Sequence, residues 1–376
     1  MHTPLYDLSP ALTILALGLL LALLPVCWLL WRNGTAPSKL GPALCVLTLF
    51  LTLDLILFGA FTRLSDSGLG CPDWPGCYGQ AHPLAAHAQI SAAQTAMPTG
   101  PVTFSKAWIE MLHRYLATAV GALITGLMLL AWAGRKRVNE GPGAGSGEGS
   151  GHLQPWLATA SFVWVCVQGA FGALTVTTKL FPAIVSLHLL GAYVLLALLT
   201  VQANRAVAGS APRTPLAQRH WLGWALALLL LQAASGAWVS SNYAVLACSE
   251  FPKCQGQWLP AMDFVRGFEI WHPLGESADG TVLSLPALTA IHVLHRSLAL
   301  LTLTVLALLA WALHRHPALR TPVRLLLGLL VLQFLTGLSN VVLGWPLLAA
   351  LAHTGGAAAL VAVLVWLLEK TERPEK

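Results

Sequence analysis

A chain of 376 residues with 56% hydrophobic and 10% charged side chains is too apolar for a water-soluble globule. Several apolar runs reach about twenty residues, enough to cross the hydrocarbon core of a bilayer. The formal charge of +6 does not mark a nucleic-acid binder, because Lys and Arg sit in short loops between apolar runs, the distribution that orients membrane helices. Composition therefore predicts an all-α polytopic membrane protein.

Nine spans are predicted in chain order, at 11–31, 42–62, 109–133, 155–177, 183–204, 220–243, 286–313, 322–343 and 346–368. The basic segments Arg32 to Lys39, Arg135-Lys136-Arg137, Arg205 to Arg219, Arg315 to Arg324 and the tail with Lys370 and Arg373 all fall on one face. The positive-inside rule makes that face cytoplasmic, with the N-terminus outside and the C-terminus inside. Met1 to Pro10 carries no Lys or Arg and no convincing small-residue cleavage site follows, so the first span reads as a retained helix, although composition leaves cleavage open.

The chain contains an internal duplication. The first copy runs from Gly59-Ala60-Phe61-Thr62-Arg63 through the loop Cys71 to Cys77, Glu110-x-x-His113-Arg114 and Gln168-Gly169-Ala170-Phe171-Gly172 to His188-Leu189-Leu190-Gly191-Ala192. The second has Ser235-Gly236-Ala237-Trp238, the loop Cys248 to Cys254, His292-x-x-His295-Arg296, Gln333 to Gly337 and His353-Thr354-Gly355-Gly356-Ala357 in the same order. Four spans per copy is an even number, so the copies share one orientation and are related by a pseudo-two-fold axis along the membrane normal. The predicted layout is an extra N-terminal helix over 1–40 and two four-helix bundles over 41–208 and 209–376, joined near Asn204 to Arg219. The Gly-rich segment Gly141 to Gly151 reads as a flexible cytoplasmic linker within the first copy.

Cys27, Cys45 and Cys166 lie in apolar runs and read as small buried hydrophobes. Cys71 with Cys77 and Cys248 with Cys254 lie in loops on the outer, oxidising side, so each pair is a disulfide or a reversible dithiol. Those loops, 64–108 and 245–285, are long enough to fold as caps.

Eight of the thirteen histidines, His2, His82, His87, His152, His220, His272, His314 and His316, fall in loops or at helix edges and read as solvated. The other five, His113, His188, His292, His295 and His353, belong to spans. One such histidine is more often a hydrogen-bonded core residue, but ionisable groups in a bilayer are costly and a set of them marks a functional interior. His113 with His188, and His295 with His353, are expected at similar depth on different helices, an arrangement that suits the two axial positions of a haem iron. Zinc lacks two of its four ligands here. Small residues after His188 and His353 leave room for a macrocycle or simply allow close helix packing. Arg114 and Arg296 are placed to pair with haem propionates or to snorkel to the interface.

The copies differ three residues before the histidine-arginine pair, with Glu110 in the first and His292 in the second. One carboxylate between two similar pockets points to one catalytic site and one relay, with Glu110 as an acid/base or as a stabiliser of positive charge on the substrate. Asp54 is the other carboxylate expected to be buried, in a structural or proton-path role.

The stretch Thr62-Arg63-Leu64-x-x-Ser67-Gly68-Leu69-Gly70-Cys71-Pro72-Asp73-Trp74-Pro75, with Glu110-x-x-His113-Arg114, His188-Leu189-x-Gly191, the second Cys-x5-Cys loop, His295-Arg296 and His353, resembles the haem A synthase family over roughly residues 42 to 368. The span 11–31 lies outside the eight-helix core associated with that family. The resemblance implies an inner-membrane oxidoreductase that converts the C8 methyl of haem O to the formyl group of haem A for aa3-type terminal oxidases. It implies haem b on His295 and His353, substrate haem O near His113, His188 and Glu110, and a role for Cys71 and Cys77 in activity. Haem O synthase, the upstream farnesyltransferase, and an external electron donor are the implied partners, with a homo-oligomer left open. A di-haem b-type electron-transfer cytochrome is the competing reading; it leaves Glu110 and the cysteine pairs without work. A disulfide-exchange enzyme or a transporter would leave the membrane histidines unused.

Overall fold

A computed structural model of the chain describes residues 7–34, 37–140, 153–208, 213–217 and 219–372. The Gly141 to Gly151 linker, His2, His152 and Arg373 lie outside the described residues. The helices are α1 (Ser9–Asn33), α2 (Pro37–Leu64), α3 (His87–Ala96), α4 (Phe104–Glu140), α5 (Pro155–Thr177), α6 (Pro182–Ala208), α7 (Arg219–Ser241), α8 (Phe264–Gly267), α9 (Leu285–Leu313), α10 (Arg320–Val342) and α11 (Leu347–Glu369). All but the short α3 and α8 are, among the described residues, long and apolar enough to cross a membrane, which gives the nine expected spans. The chain is an all-α, multi-pass membrane protein.

Local chemistry explains several starts. Ser284 caps α9 by accepting the Ala287 amide, with Pro286 in the first turn, and Asp263 caps α8 through the Arg266 amide. Three boundaries move by five residues or more: α2 begins at Pro37, not 42, α4 ends at Glu140, not 133, and α4 begins at Phe104, not 109, because Thr103 caps its first turn by accepting the Lys106 amide. Glu110 therefore lies in the second turn of the helix rather than at its mouth.

The chain divides into two compact units, residues 1–179 with 202–210 and residues 180–201 with 211–376. In the first, α4 is central and packs against α1, α2, α3 and α5. The extra helix α1 crosses α4 closely at Gly18, where a Cβ would run into the Thr118 side chain. In the second unit, α7 packs on α9, α9 on α10, α10 on α11 and α11 on α7, a closed ring of four in which α9 and α11 are diagonal. The first part of α6, which carries His188, belongs to this second unit: Tyr193 donates its hydroxyl to the Thr354 carbonyl (3.1 Å), and the Ser186 and Ser241 hydroxyls meet at 3.3 Å. A two-residue parallel pairing, β1 (Thr214–Pro215) with β2 (Thr371–Glu372), ties the end of the chain to the start of α7, where Arg219 donates to the Thr371 and Leu368 carbonyls.

Three expected burials do not hold. Asp54 is exposed on α2, in line with exposed Val46 and Phe50, because a spacing of four residues puts the three on one outward face. Cys27 and Cys166 also face outward, whereas Cys45 is buried.

Candidate functional site

The two cysteine loops have the same internal construction. Both pairs are disulfides, Cys71–Cys77 and Cys248–Cys254, with all four cysteines buried. Three residues past each second cysteine a Gln closes a bridge back onto it, Cys77 to Gln80 and Cys254 to Gln257. The turn needs a left-handed backbone at Gly79 (φ 69°) and Gly256 (φ 75°). A carboxylate two residues after the first cysteine caps it: Asp73 accepts the Tyr78 and Gly79 amides, each at 2.6 Å, and Glu250 accepts the Gly256 amide. Burial and then the Asp73 charge push the Tyr78 phenol above its ordinary value. Only the cysteines of this pattern stood out in the sequence; aligning Cys71-Pro-Asp-Trp-Pro-Gly-Cys-Tyr-Gly-Gln80 with Cys248-Ser-Glu-Phe-Pro-Lys-Cys-Gln-Gly-Gln257 reveals all of it.

Each loop is pinned by the arginine next to the span histidine. Arg114 donates to the carbonyls of Asp73 and Pro75 (3.0 and 3.1 Å) and of Gly76. Arg296 donates to those of Cys248, Glu250 and Lys253 (3.2, 2.9 and 3.2 Å). Gly70 lies so close to the Lys106 carbonyl that a Cβ would overlap it, which brings the Cys71 amide onto α4. There Glu110, 3% exposed, accepts Cys71 N–H through Oε2 at 2.8 Å and pairs with Arg114 through Oε1. Ile14 of α1 joins Cys71, Cys77, Ile90, Met111 and Tyr115 in the apolar cluster beneath this loop.

In the second unit His292 takes the position of Glu110; it is 3% exposed and its Nδ1 has no partner among the described residues. His272, expected to be solvated, is 1% exposed, because the loop folds over it: its Nδ1 contacts the Pro273 carbonyl at 2.8 Å and its ring meets Trp238 edge-on.

Three of the remaining span histidines lie against glycines. A Cβ at Gly59 would come within 2.9 Å of His113, at Gly236 within 3.0 Å of His295, and at Gly337 within 3.1 Å of His353, so each ring rests on bare backbone of a neighbouring helix. Phe58 stacks on His113 with an interplanar angle of 7°. His295 is held at Nδ1 by Ser235 Oγ (2.8 Å) and faces the Gln232 amide (3.1 Å); His353 is held at Nδ1 by Thr336 Oγ1 (3.0 Å), and Gln333 Nε2 donates to its carbonyl (2.8 Å). His188 Nδ1 is buried without a partner among the described residues.

Histidines on two diagonal helices, each held at Nδ1 by a hydroxyl and each on a glycine that leaves the ring flank flat, form a donor set that fits a bis-imidazole haem. Fold and site thus define a multi-pass helical membrane protein with a histidine-lined interior and two disulfide-closed caps. The family model for the cytochrome oxidase assembly protein, COX15-CtaA, matches residues 42–365, and the chain belongs to that family. Among its relatives, the haem A synthase of Shewanella oneidensis is 38% identical over 324 residues, 85% of this chain and 93% of the relative. Those of Halalkalibacterium halodurans and Alkalihalophilus pseudofirmus are 27% and 28% identical, over 82% and 88% of this chain and 88% and 96% of the relatives. The match begins after α1, which lies outside the matched residues.

Proposed function

We propose that this chain is a haem A synthase: an oxidoreductase that oxidises the C8 methyl of haem O to the formyl of haem A. Family membership carries the reaction, and the single observation that carries its division of labour is the exchange of Glu110 for His292 between two otherwise matching loop-and-helix constructions.

The resident cofactor in this reading is a haem b on His295 and His353, which when bound supplies one-electron chemistry. In this reading the substrate haem O is assigned to His113, with Glu110 as the catalytic carboxylate; His188, the ligand that the sequence pairs with it, falls in the second compact unit. Of the two roles open to that carboxylate, charge stabilisation is favoured over proton shuttling. Both of its oxygens are occupied, by Cys71 N–H and by Arg114, so Glu110 acts as a fixed negative charge beside positive charge developing on the substrate. Arg114 and Arg296 spend most of their donors on loop carbonyls; Arg296 Nε, buried and without a partner among the described residues, is the donor left for a propionate. The disulfides Cys71–Cys77 and Cys248–Cys254 hold the caps to which these groups are tied.

The orientation proposed is N-terminus periplasmic and C-terminus cytoplasmic in a bacterial inner membrane, supported by Arg135, Arg205, Arg219, Arg315 and Arg324 at one end of the spans. Oxidation of the methyl requires an external acceptor or oxidant for its electrons; an external electron donor and haem O synthase, as supplier of the substrate, are the partners of this reading.

The test is to purify the protein in mild detergent from cells with and without a supply of haem O, record its reduced-minus-oxidised spectrum and chromatograph the extracted haem. Haem B together with haem O, a hydroxylated intermediate or haem A is the expected result. Haem B alone under both conditions would point to an electron-transfer cytochrome, and no haem would remove the histidine assignment.

A further inference from the structure

We infer that Ser235 and Thr336 are positioning residues that fix the tautomer of His295 and His353 and make the second copy the permanent haem seat; the inference rests on the haem b assignment above. A hydroxyl has one proton to give. Ser235 Oγ gives its proton to the Gln232 carbonyl (2.8 Å), and Thr336 Oγ1 gives its own to the Leu332 carbonyl (2.7 Å), one helical turn back. Each oxygen can then only accept from the imidazole it touches, so His295 and His353 carry their protons on Nδ1 and present the Nε2 lone pair to an iron. Gln232 completes the first bracket: turning its amide by half a revolution gives Oε1, otherwise buried without a partner, to the same Nδ1–H.

The first copy carries no hydroxyl at the corresponding positions. In repeat register Ser235-Gly236 corresponds to Phe58-Gly59, and Thr336-Gly337, three and four residues after Gln333, corresponds to Phe171-Gly172, three and four after Gln168. The glycines are kept and the hydroxyls are replaced by phenyl rings. Phe58 stacks on His113, and His188 Nδ1 has no partner among the described residues. A bound Nδ1–H makes an imidazole more basic and fixes its orientation, which suits a cofactor that stays. His188, whose Nδ1 has no such partner among the described residues, suits a substrate that must leave.

The test uses the full-length protein purified with its haem. Thr336→Val and Ser235→Ala keep shape and leave the helix carbonyls in their backbone bonds, so the fold is retained. Haem transfer to excess apomyoglobin is expected to accelerate about 10-fold in Thr336→Val, and less in Ser235→Ala, where Gln232 still accepts. The haem b midpoint potential is expected to move upward in both, since a less basic ligand stabilises ferric iron less. Thr336→Ser and Ser235→Thr should restore both readouts. Wild-type transfer rates and potentials in both variants would overturn the positioning role while leaving the haem assignment intact. A wild-type protein whose low-spin spectrum shows no bis-histidine haem b would overturn the assignment and the inference together.

Discussion

Glu110 is held by donors from two directions, and a glutamine at this position keeps one half of the arrangement while losing the other. In Glu110→Gln the amide oxygen still accepts Cys71 N–H, so the loop stays on α4, but the charge that pairs with Arg114 is gone. Conversion of haem O should fall by about 10²–10³-fold, the usual cost of losing one preorganised electrostatic group, while haem b content stays at the wild-type level. Product and haem content measured on the same preparation check both halves; retained turnover would remove Glu110 from the chemistry. In the second unit the same position holds His292, a residue with no comparable fixed charge, in keeping with a relay.

Among the elements, the cysteine loops are the pieces whose order depends on a few polar contacts. Asp73 accepts two backbone amides, and Arg114 collects three carbonyls from the same stretch. Asp73→Ala leaves the Tyr78 and Gly79 amides without their acceptor, a loss of about 1–3 kcal/mol, and should lower the thermal midpoint of the detergent-solubilised protein by several degrees. Because Glu110 is tied to the amide of Cys71 in that loop, the variant should also slow haem O conversion. A lower midpoint with unchanged conversion would separate the cap from the catalytic carboxylate. The helix α1, outside the family match, contributes Ile14 to the cluster beneath the first loop and crosses α4 at Gly18; its packing supports the same cap.

For the whole molecule, topology is the property to measure. Alkaline phosphatase fused after Ala96, in the segment between α2 and α4, should be active, and a fluorescent protein fused to the C-terminus should fluoresce, because the basic residues mark the other face as cytoplasmic. The reverse pattern would invert the membrane orientation and place both disulfide loops in a reducing compartment. The two units each hold a disulfide-capped loop pinned by an arginine, yet they divide the chain unevenly: residues 180–201 pack with the second unit through Tyr193 and Ser186.

The nine spans, the duplicated order of motifs and the family were legible in the sequence. Hydrocarbon thickness sets the length of an apolar run, and a bilayer makes every interior histidine conspicuous against its neighbours. Side-chain direction and partners were not legible. Asp54 looked buried from its depth, but its rotation about α2 turns it outward; His272 looked solvated from its loop, but the fold of that loop buries it. The hydroxyls that bracket His295 and His353 lie 60 and 17 residues away in sequence, and a serine or threonine in an apolar helix carries no mark of whether its oxygen meets an imidazole. Sequence alone determined which chemistry-bearing residues enter the membrane and in what order; tertiary structure decided which hydroxyl, carbonyl or amide each one meets, because hydrogen bonds depend on rotation and distance that a one-dimensional pattern does not contain.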